Sequence, residues 1–203
     1  MNLKDTYNKI GDAWFRDHQP DAWWHEGADK FISFLKPDAS ALDVGCGGGI
    51  ASKYLIEKGL SVAGVDFSEK MIEIATREVP LGKFFVGDMN DLDFLEKNFD
   101  GLYVKASLLH IPKKEIVNVI LKLKQNLKPG GYMYVAVKEA KPEQKEEQIK
   151  VESDYGYEYQ RFFSFFTLSE MEKYFADASF KVCWKKITPS GKTLWIEIIG
   201  QSI

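Results

Sequence analysis

The stretch Ala41-Leu42-Asp43-Val44-Gly45-Cys46-Gly47-Gly48-Gly49 decides the fold of this chain. Ala41, Leu42 and Val44 read as a buried strand that runs straight into glycine, and Ile50, Tyr54 and Leu55 then share one face of a helix. Such a join leaves bare backbone N–H groups at a helix start, where a nucleotide-like ligand can approach closely. The rest of the chain reads as scaffold for this turn, with further strands bringing their tips to the same edge.

Downstream the rhythm is regular. A helix at about 48–58 leads to strand Ser61–Asp66, and a helix capped by Ser68 runs through Met71, Ile72, Ile74 and Ala75. Strand Lys83–Val86 ends at Gly87-Asp88, a short helix is expected near 91–97, and strand Gly101–Val104 follows. Ile116, Ile120, Leu123 and Leu127 form one helical face, after which Lys128-Pro129-Gly130-Gly131 turns the chain into strand Tyr132–Val137. Strands alternating with helices at this pitch predict an α/β fold: a three-layer, Rossmann-like sandwich around a mostly parallel seven-stranded sheet. Residues 138–161 break the rhythm with Glu, Lys and Gln and then tyrosines, and read as a solvated connection or mobile flap over the strand tips. Thr167-x-x-Glu170 is a capping box opening a last helix. Strands at about 180–187 and 193–199, joined across Pro189-Ser190-Gly191, predict a hairpin with an antiparallel C-terminal strand.

Upstream, Tyr7, Ile10, Trp14, Phe15, Trp23 and Trp24 are too densely aromatic for a solvated tail, and Ala28, Phe31, Ile32 and Leu35 give a helical stripe ending at Pro37. Together they predict an N-terminal helical cap. The expected organisation is one domain over 1–203: cap 1–38, cofactor-binding core 39–137, flap and substrate segment 138–166, and C-terminal helix and hairpin 167–203.

At 203 residues and 45% hydrophobic composition the chain can bury one sizeable core. A net charge of -3 disfavours a sequence-independent nucleic-acid binder, and no run has the length of a transmembrane helix or the form of a signal peptide. Two cysteines, Cys46 and Cys183, make no disulfide framework, and three histidines without clustered acids make no metal site. The expectation is a cytoplasmic protein, monomer or homodimer, without nucleic-acid or membrane partners. Cys46 reads as a small residue tolerated in the turn rather than a nucleophile.

Ligands of an open parallel sheet bind beyond the carboxyl ends of the strands. Asp43, Asp66 and Asp88 stand at or near three such ends. Asp66 falls about 20 residues after the glycine turn, where a carboxylate reaches a ribose diol. The dinucleotide fingerprint Gly-x-Gly-x-x-Gly fails, because Ile50 and Ser52 stand where its third glycine belongs. An additional carboxylate beside the turn suits a ligand bearing an ammonium and a sulfonium better than a pyrophosphate.

The chain resembles the class I S-adenosylmethionine-dependent methyltransferases of the small-molecule type over residues 40–200. LDVGCGGG at 42–49, GVDFSEKMIEIA at 64–75 and VGDMNDLDF at 86–94 are similar to the family's first three motifs. FDGLYVKASLLHIP at 99–112, LKPGGYMYV at 127–135 and the run at 161–182 continue the likeness. The resemblance implies methyl transfer from S-adenosyl-L-methionine, leaving S-adenosyl-L-homocysteine, to a small-molecule acceptor. It implies that Gly45, Cys46 and Gly47 approach the methionine end and that Asp43 orders the turn or meets the amino group. Asp66 would hold the ribose, Phe67 and Met71 flank the adenine, and Asp88 and Met89 bind its edge. Tyr7 would lie near the carboxylate end. Lys105 is placed with the cofactor contacts, with carbonyl capping or substrate contact as alternatives.

A sulfonium donor needs a general base only when the acceptor is protonated, and His110 is the candidate; a structural role is the alternative. Trp14, His110, Tyr159 and Arg161 are expected to line the acceptor's place. Lys105-Ala106-Ser107 stands where base-amino methyltransferases carry Asn/Asp-Pro-Pro-aromatic, and no Pro-Cys pair serves cytosine-C5 chemistry. A cofactor-binding protein without turnover and a dinucleotide-dependent oxidoreductase are the rival readings.

Overall fold

The computed structural model describes residues 3–95 and 98–203. Two helices, α1 (Leu3–His18) and α2 (His25–Ile32), precede β1 (Ser40–Val44), α3 (Ile50–Glu57), β2 (Ser61–Asp66), α4 (Glu69–Glu78), β3 (Lys83–Val86) and β4 (Phe99–Lys105). Then come α5 (Ile116–Lys124), β5 (Leu127–Lys138), β6 (Glu147–Glu152), β7 (Tyr159–Ser164), α6 (Leu168–Asp177), β8 (Phe180–Ser190) and β9 (Thr193–Ser202). Seven strands form one sheet in the order β3-β2-β1-β4-β5-β9-β8. Strands β1 to β5 are parallel, while β9 is inserted antiparallel between β5 and β8. The expected Rossmann-like sandwich with an antiparallel C-terminal strand is the observed fold.

Strand periodicity assigns the faces. Leu42, Val44, Leu102, Val104, Met133, Val135 and Val137 point one way, onto the apolar stripes of α5 and α6. Their neighbours Ala41, Tyr103, Tyr134 and Ala136 point the other way, onto α2 and α3. Burial on both faces explains why these strands read as nearly unbroken apolar runs. On the α2 side the rings of Tyr103 and Tyr134 stack at 4.4 Å, and the Tyr134 hydroxyl donates to the fully buried Glu197 at 2.6 Å.

The cap is fastened at two places. Asn8 of α1 accepts from Ser68 Oγ at 2.7 Å and from the Lys70 N–H at 3.2 Å, so it joins Ser68 in satisfying the open N-terminus of α4. On the other side Thr6 Oγ1 donates to the Gln160 carbonyl at 3.1 Å, and Tyr157 Oη donates to the Lys9 carbonyl at 3.0 Å, which ties α1 to β7 and the turn before it.

Several local expectations are corrected. The segment read as a solvated connection or flap contains an ordered antiparallel hairpin, β6–β7, paired from Glu147↔Ser164 to Glu152↔Tyr159. In place of the helix expected near 91–97, the described residues form two separate turns, 88–91 and 92–95, closed by Asp91 N to Asp88 O and Leu95 N to Leu92 O; residues 96 and 97 lie outside the described chain. The turn expected at 128–131 is incorporated into β5, where pairing shifts register between Phe99 and Gly101. The last hairpin turns tighter than expected, across 191–192, because Pro189 and Ser190 still pair with Leu194 and Thr193.

Candidate active site

Strand order reverses between β1 and β4, and that switch point opens a cleft beyond the strand tips. The cleft has a volume of about 460 Å³, in the range of small-molecule sites. Its floor is the glycine turn. Gly45 adopts φ +71°, and a Cβ there would sit 2.4 Å from that of Ser107. Gly47 adopts φ +53° with only the Trp14 ring nearby at 3.6 Å, so its backbone faces open space. The N–H groups of Gly45 and Cys46 both donate to the Val65 carbonyl, at 2.8 and 3.0 Å, locking the turn against β2.

Asp66 closes the turn from the other strand. Its Oδ2 accepts from Gly47 N at 3.0 Å and its Oδ1 from Ser68 N at 2.9 Å. Each oxygen retains a second lone pair, and Asp66 lines the cleft. Burial pushes the Asp66 carboxyl up to about 6, against the pull of those two N–H donors. Asp43 is 1% exposed and accepts from Ser52 Oγ of α3 at 2.6 Å. Burial raises it also to about 6, the Ser52 bond and the nearby Lys105 charge opposing the rise and Asp66 adding to it. Asp88 is exposed, with Oδ1 held by Asn90 N at 2.8 Å and Asn90 Nδ2 at 3.0 Å. Phe67, Met71 and Met89 complete the wall between these carboxylates. Cys46 lies in the floor as a thiol: burial first, then Asp43 and Asp66, lift its ionisation far above the usual range.

Aromatic and basic groups also line the cleft, among them Tyr7, Trp14, His110 and Arg161. Arg161, Tyr7 and His110 form a chain of polar contacts. Glu152 grips Arg161 through Nε at 2.6 Å and Nη2 at 2.7 Å, and Arg161 Nη1 donates to Tyr7 Oη at 3.3 Å. Tyr7 Oη stands 3.0 Å from His110 Nε2, and His110 Nδ1 stands 2.7 Å from the Phe162 carbonyl. A carbonyl accepts only, so the proton sits on Nδ1 and the Nε2 lone pair receives the Tyr7 hydroxyl. Burial holds the imidazole neutral, down to about 3, with the Phe162 carbonyl resisting and Arg161 and Lys138 assisting. The general-base expectation for His110 therefore meets a weakly basic nitrogen that is already hydrogen-bonded.

Tyr159 is a second correction. It is 2% exposed, its ring stacked with Tyr155, and it is not among the residues lining the cleft, because its side chain is taken up in packing. Sequence reasoning also missed lining residues: Asp21 and His18 at the end of the cap, Lys138 at the tip of β5, and Trp195 of β9. Lys138 carried a signal, as the first charge after the apolar run Met133–Val137. Trp195 carried none, since an antiparallel core strand gives no reason to suspect a ligand.

Among the described residues no cluster of acidic, histidine or cysteine side chains could hold a metal ion, and no helix is long and apolar enough to cross a membrane.

Residues 41–131 match a family model described as a methyltransferase domain. The chain is 34% identical over 97 residues to an uncharacterized methyltransferase of Synechocystis, covering 48% of this chain and 46% of that one. It is 33% identical over 139 residues to the ubiquinone biosynthesis O-methyltransferase of Coxiella burnetii, covering 60% and 58%. The chain thus spans about half the length of these curated relatives. The same fold, at TM-score 0.78 and 19% identity over 98% of this chain and 87% of the other, occurs in the Burkholderia thailandensis 1,6-didemethyltoxoflavin-N1-methyltransferase. That structure contains 1,6-didemethyltoxoflavin and S-adenosylhomocysteine.

Proposed function

We propose that this chain is a class I S-adenosylmethionine-dependent methyltransferase and that it transfers a methyl group from S-adenosylmethionine to a small-molecule acceptor. The observation that carries the proposal is the set of three carboxylates, Asp43, Asp66 and Asp88, around a glycine turn at the tips of β1, β2 and β3. The cofactor's fit is supported by the polarity of the cleft. Its carboxylate-rich half matches a ligand whose amino group, ribose hydroxyls and adenine amine all donate. A donor for the ligand's own carboxylate is available in Trp14 Nε1, which is buried without a hydrogen-bond partner among the described residues.

Bound there, the cofactor supplies a methyl group on a sulfonium, whose departure leaves a neutral thioether. The chain's residues then have mainly to orient and enclose. Asp66 would accept the ribose hydroxyls, Asp43 would face the amino group, and Asp88 with the Met89 backbone would hold the adenine edge. Phe67 and Met71 would flank the ring, and Gly45, Cys46 and Gly47 would let the chain approach the methionine part. In-line alignment of acceptor and donor in a dry cleft accounts for about 7–11 kcal/mol of barrier lowering without a catalytic side chain. In this reading His110 is a positioning residue that fixes Tyr7 and, through it, Arg161.

The test is thermal shift followed by turnover. A ligand at a hundredfold its dissociation constant stabilises by about 2.7 kcal/mol. S-adenosylhomocysteine is expected to raise the melting temperature and NAD to leave it unchanged; the reverse overturns the assignment in favour of an oxidoreductase. Label transfer from methyl-labelled cofactor to any metabolite in a broad panel separates an enzyme from a binding protein.

A further inference from the structure

Besides the carboxylates Asp43, Asp66 and Asp88, the cleft is lined by the cations Lys105, Lys138 and Arg161, with Lys105 within reach of the Asp43 charge. Of those three cations only Arg161 is neutralised in place, by the two-pronged contact from Glu152. Among the described residues neither Lys105 nor Lys138 forms a hydrogen bond or an ion pair. Both are instead pressed against rings. Lys105 Nζ lies 4.7 Å from the centre of Trp24 and 6.0 Å from that of Trp23. Lys138 Nζ lies 4.3 Å from Phe163 and 5.7 Å from Trp195.

The rings of Trp23 and Trp195 are themselves stacked, 4.2 Å apart and 11° from parallel, and both line the cleft. Each ammonium group therefore lies beside one ring of an aromatic wall made by the stacked indole pair. This placement follows from the sheet: Lys105 ends β4, Lys138 ends the adjacent β5, and Lys138 pairs with Trp195 of β9. An ammonium attracted only by ring faces has lost hydration that such contacts replace poorly. Burial accordingly weakens the hold of both lysines on their protons, Lys138 down to about 8. The nearby negative groups leave the imbalance in place. Asp43 and Asp21 act on Lys105 at a distance, Asp43 being bonded to Ser52, and Glu152 is bound to Arg161 while Lys150 adds further positive charge beside Lys138.

We propose, resting on the methyltransferase reading, that the acceptor is a planar aromatic molecule bearing an oxyanion, a carboxylate or a phenolate, which Lys105 and Lys138 bind against the Trp23–Trp195 wall. An acceptor of this class also matches the neutral His110, since an ionised group requires no base to remove its proton.

The test is calorimetric titration of the protein saturated with S-adenosylhomocysteine, using two matched pairs at neutral pH. The pair 2-naphthoate and 2-naphthamide reports a carboxylate; 2,4-dinitrophenolate and 2,4-dinitroanisole report a phenolate. At least one anion is expected to bind about tenfold tighter than its neutral partner, a preference that Lys138→Met, which keeps the packing of the stem, reduces to within about twofold. S-adenosylhomocysteine affinity of that variant is expected to stay at the wild-type value, which also shows that it folds. Equal binding of both members in both pairs, or a preference that survives Lys138→Met, overturns the acceptor class and leaves methyl transfer standing. Failure of the wild-type protein to bind S-adenosylhomocysteine overturns both.

Discussion

Asp66 concentrates the logic of the site in one side chain. It secures the Gly47 and Ser68 N–H groups while lining the cleft, so it is a brace and, in the proposed reading, a receptor. Asp66→Ala is expected to weaken S-adenosylhomocysteine by at least about tenfold, since charge-assisted hydrogen bonds contribute roughly 1.5–3 kcal/mol, and titration calorimetry measures it. The raised ionisation of Asp43 and Asp66 has two consequences. Without ligand, what the pair contributes to stability is complete below the ordinary carboxylate value of 3.8 and is lost as the pH climbs through about 6. With ligand, ribose hydroxyls need the ionised form, so affinity is expected to be flat above about pH 7 and to fall by up to about tenfold per unit below about 6. His110 separates two roles. His110→Gln keeps an acceptor for the Tyr7 hydroxyl and is expected to hold kcat within about threefold, while His110→Ala raises the acceptor's KM. A kcat loss of about a hundredfold in both variants would restore it as the base. Among the residues, the glycine turn and its carboxylates were readable because turn geometry and chain spacing constrain them. The partners of His110 were not, because Tyr7 and Phe162 are far from it in sequence.

At the level of elements, legibility tracked periodicity. The alternating strands and helices of 40–137 were evident, as both sheet faces are buried. The β6–β7 hairpin was not, because β6 reverses the usual pattern: Ile149 and Val151 face solvent while Gln148, Lys150 and Glu152 are half-buried. A strand with its polar side inward resembles a charged connection on paper. The hairpin is held from below by Lys113, whose N–H donates to Glu147 at 2.6 Å and whose ammonium meets Glu170 at 2.7 Å and Glu146 at 3.1 Å. Lys113→Met is expected to cost about 1 kcal/mol locally and to speed amide exchange across 147–164 roughly fivefold, with β1 and β4 unchanged; hydrogen-exchange mass spectrometry reads both regions. The capping box of α6, in contrast, was plain from Thr167 and Glu170 alone and is present as expected.

Across the whole molecule, the cleft is assembled from parts distant in sequence: strand tips of the parallel sheet, the N-terminal cap, the β6–β7 hairpin and Trp195 of β9. That dispersion explains why the glycine turn with Asp43 and Asp66 was legible while Asp21, Lys138 and Trp195 were missed. Helix α1 joins these parts. It grips the start of α4 through Asn8 and reaches β7 and the turn before it through Thr6 and Lys9, with Tyr7 and Trp14 between them. In the proposed reading donor and acceptor share one doorkeeper, so loosening that single latch is expected to let go of both occupants together.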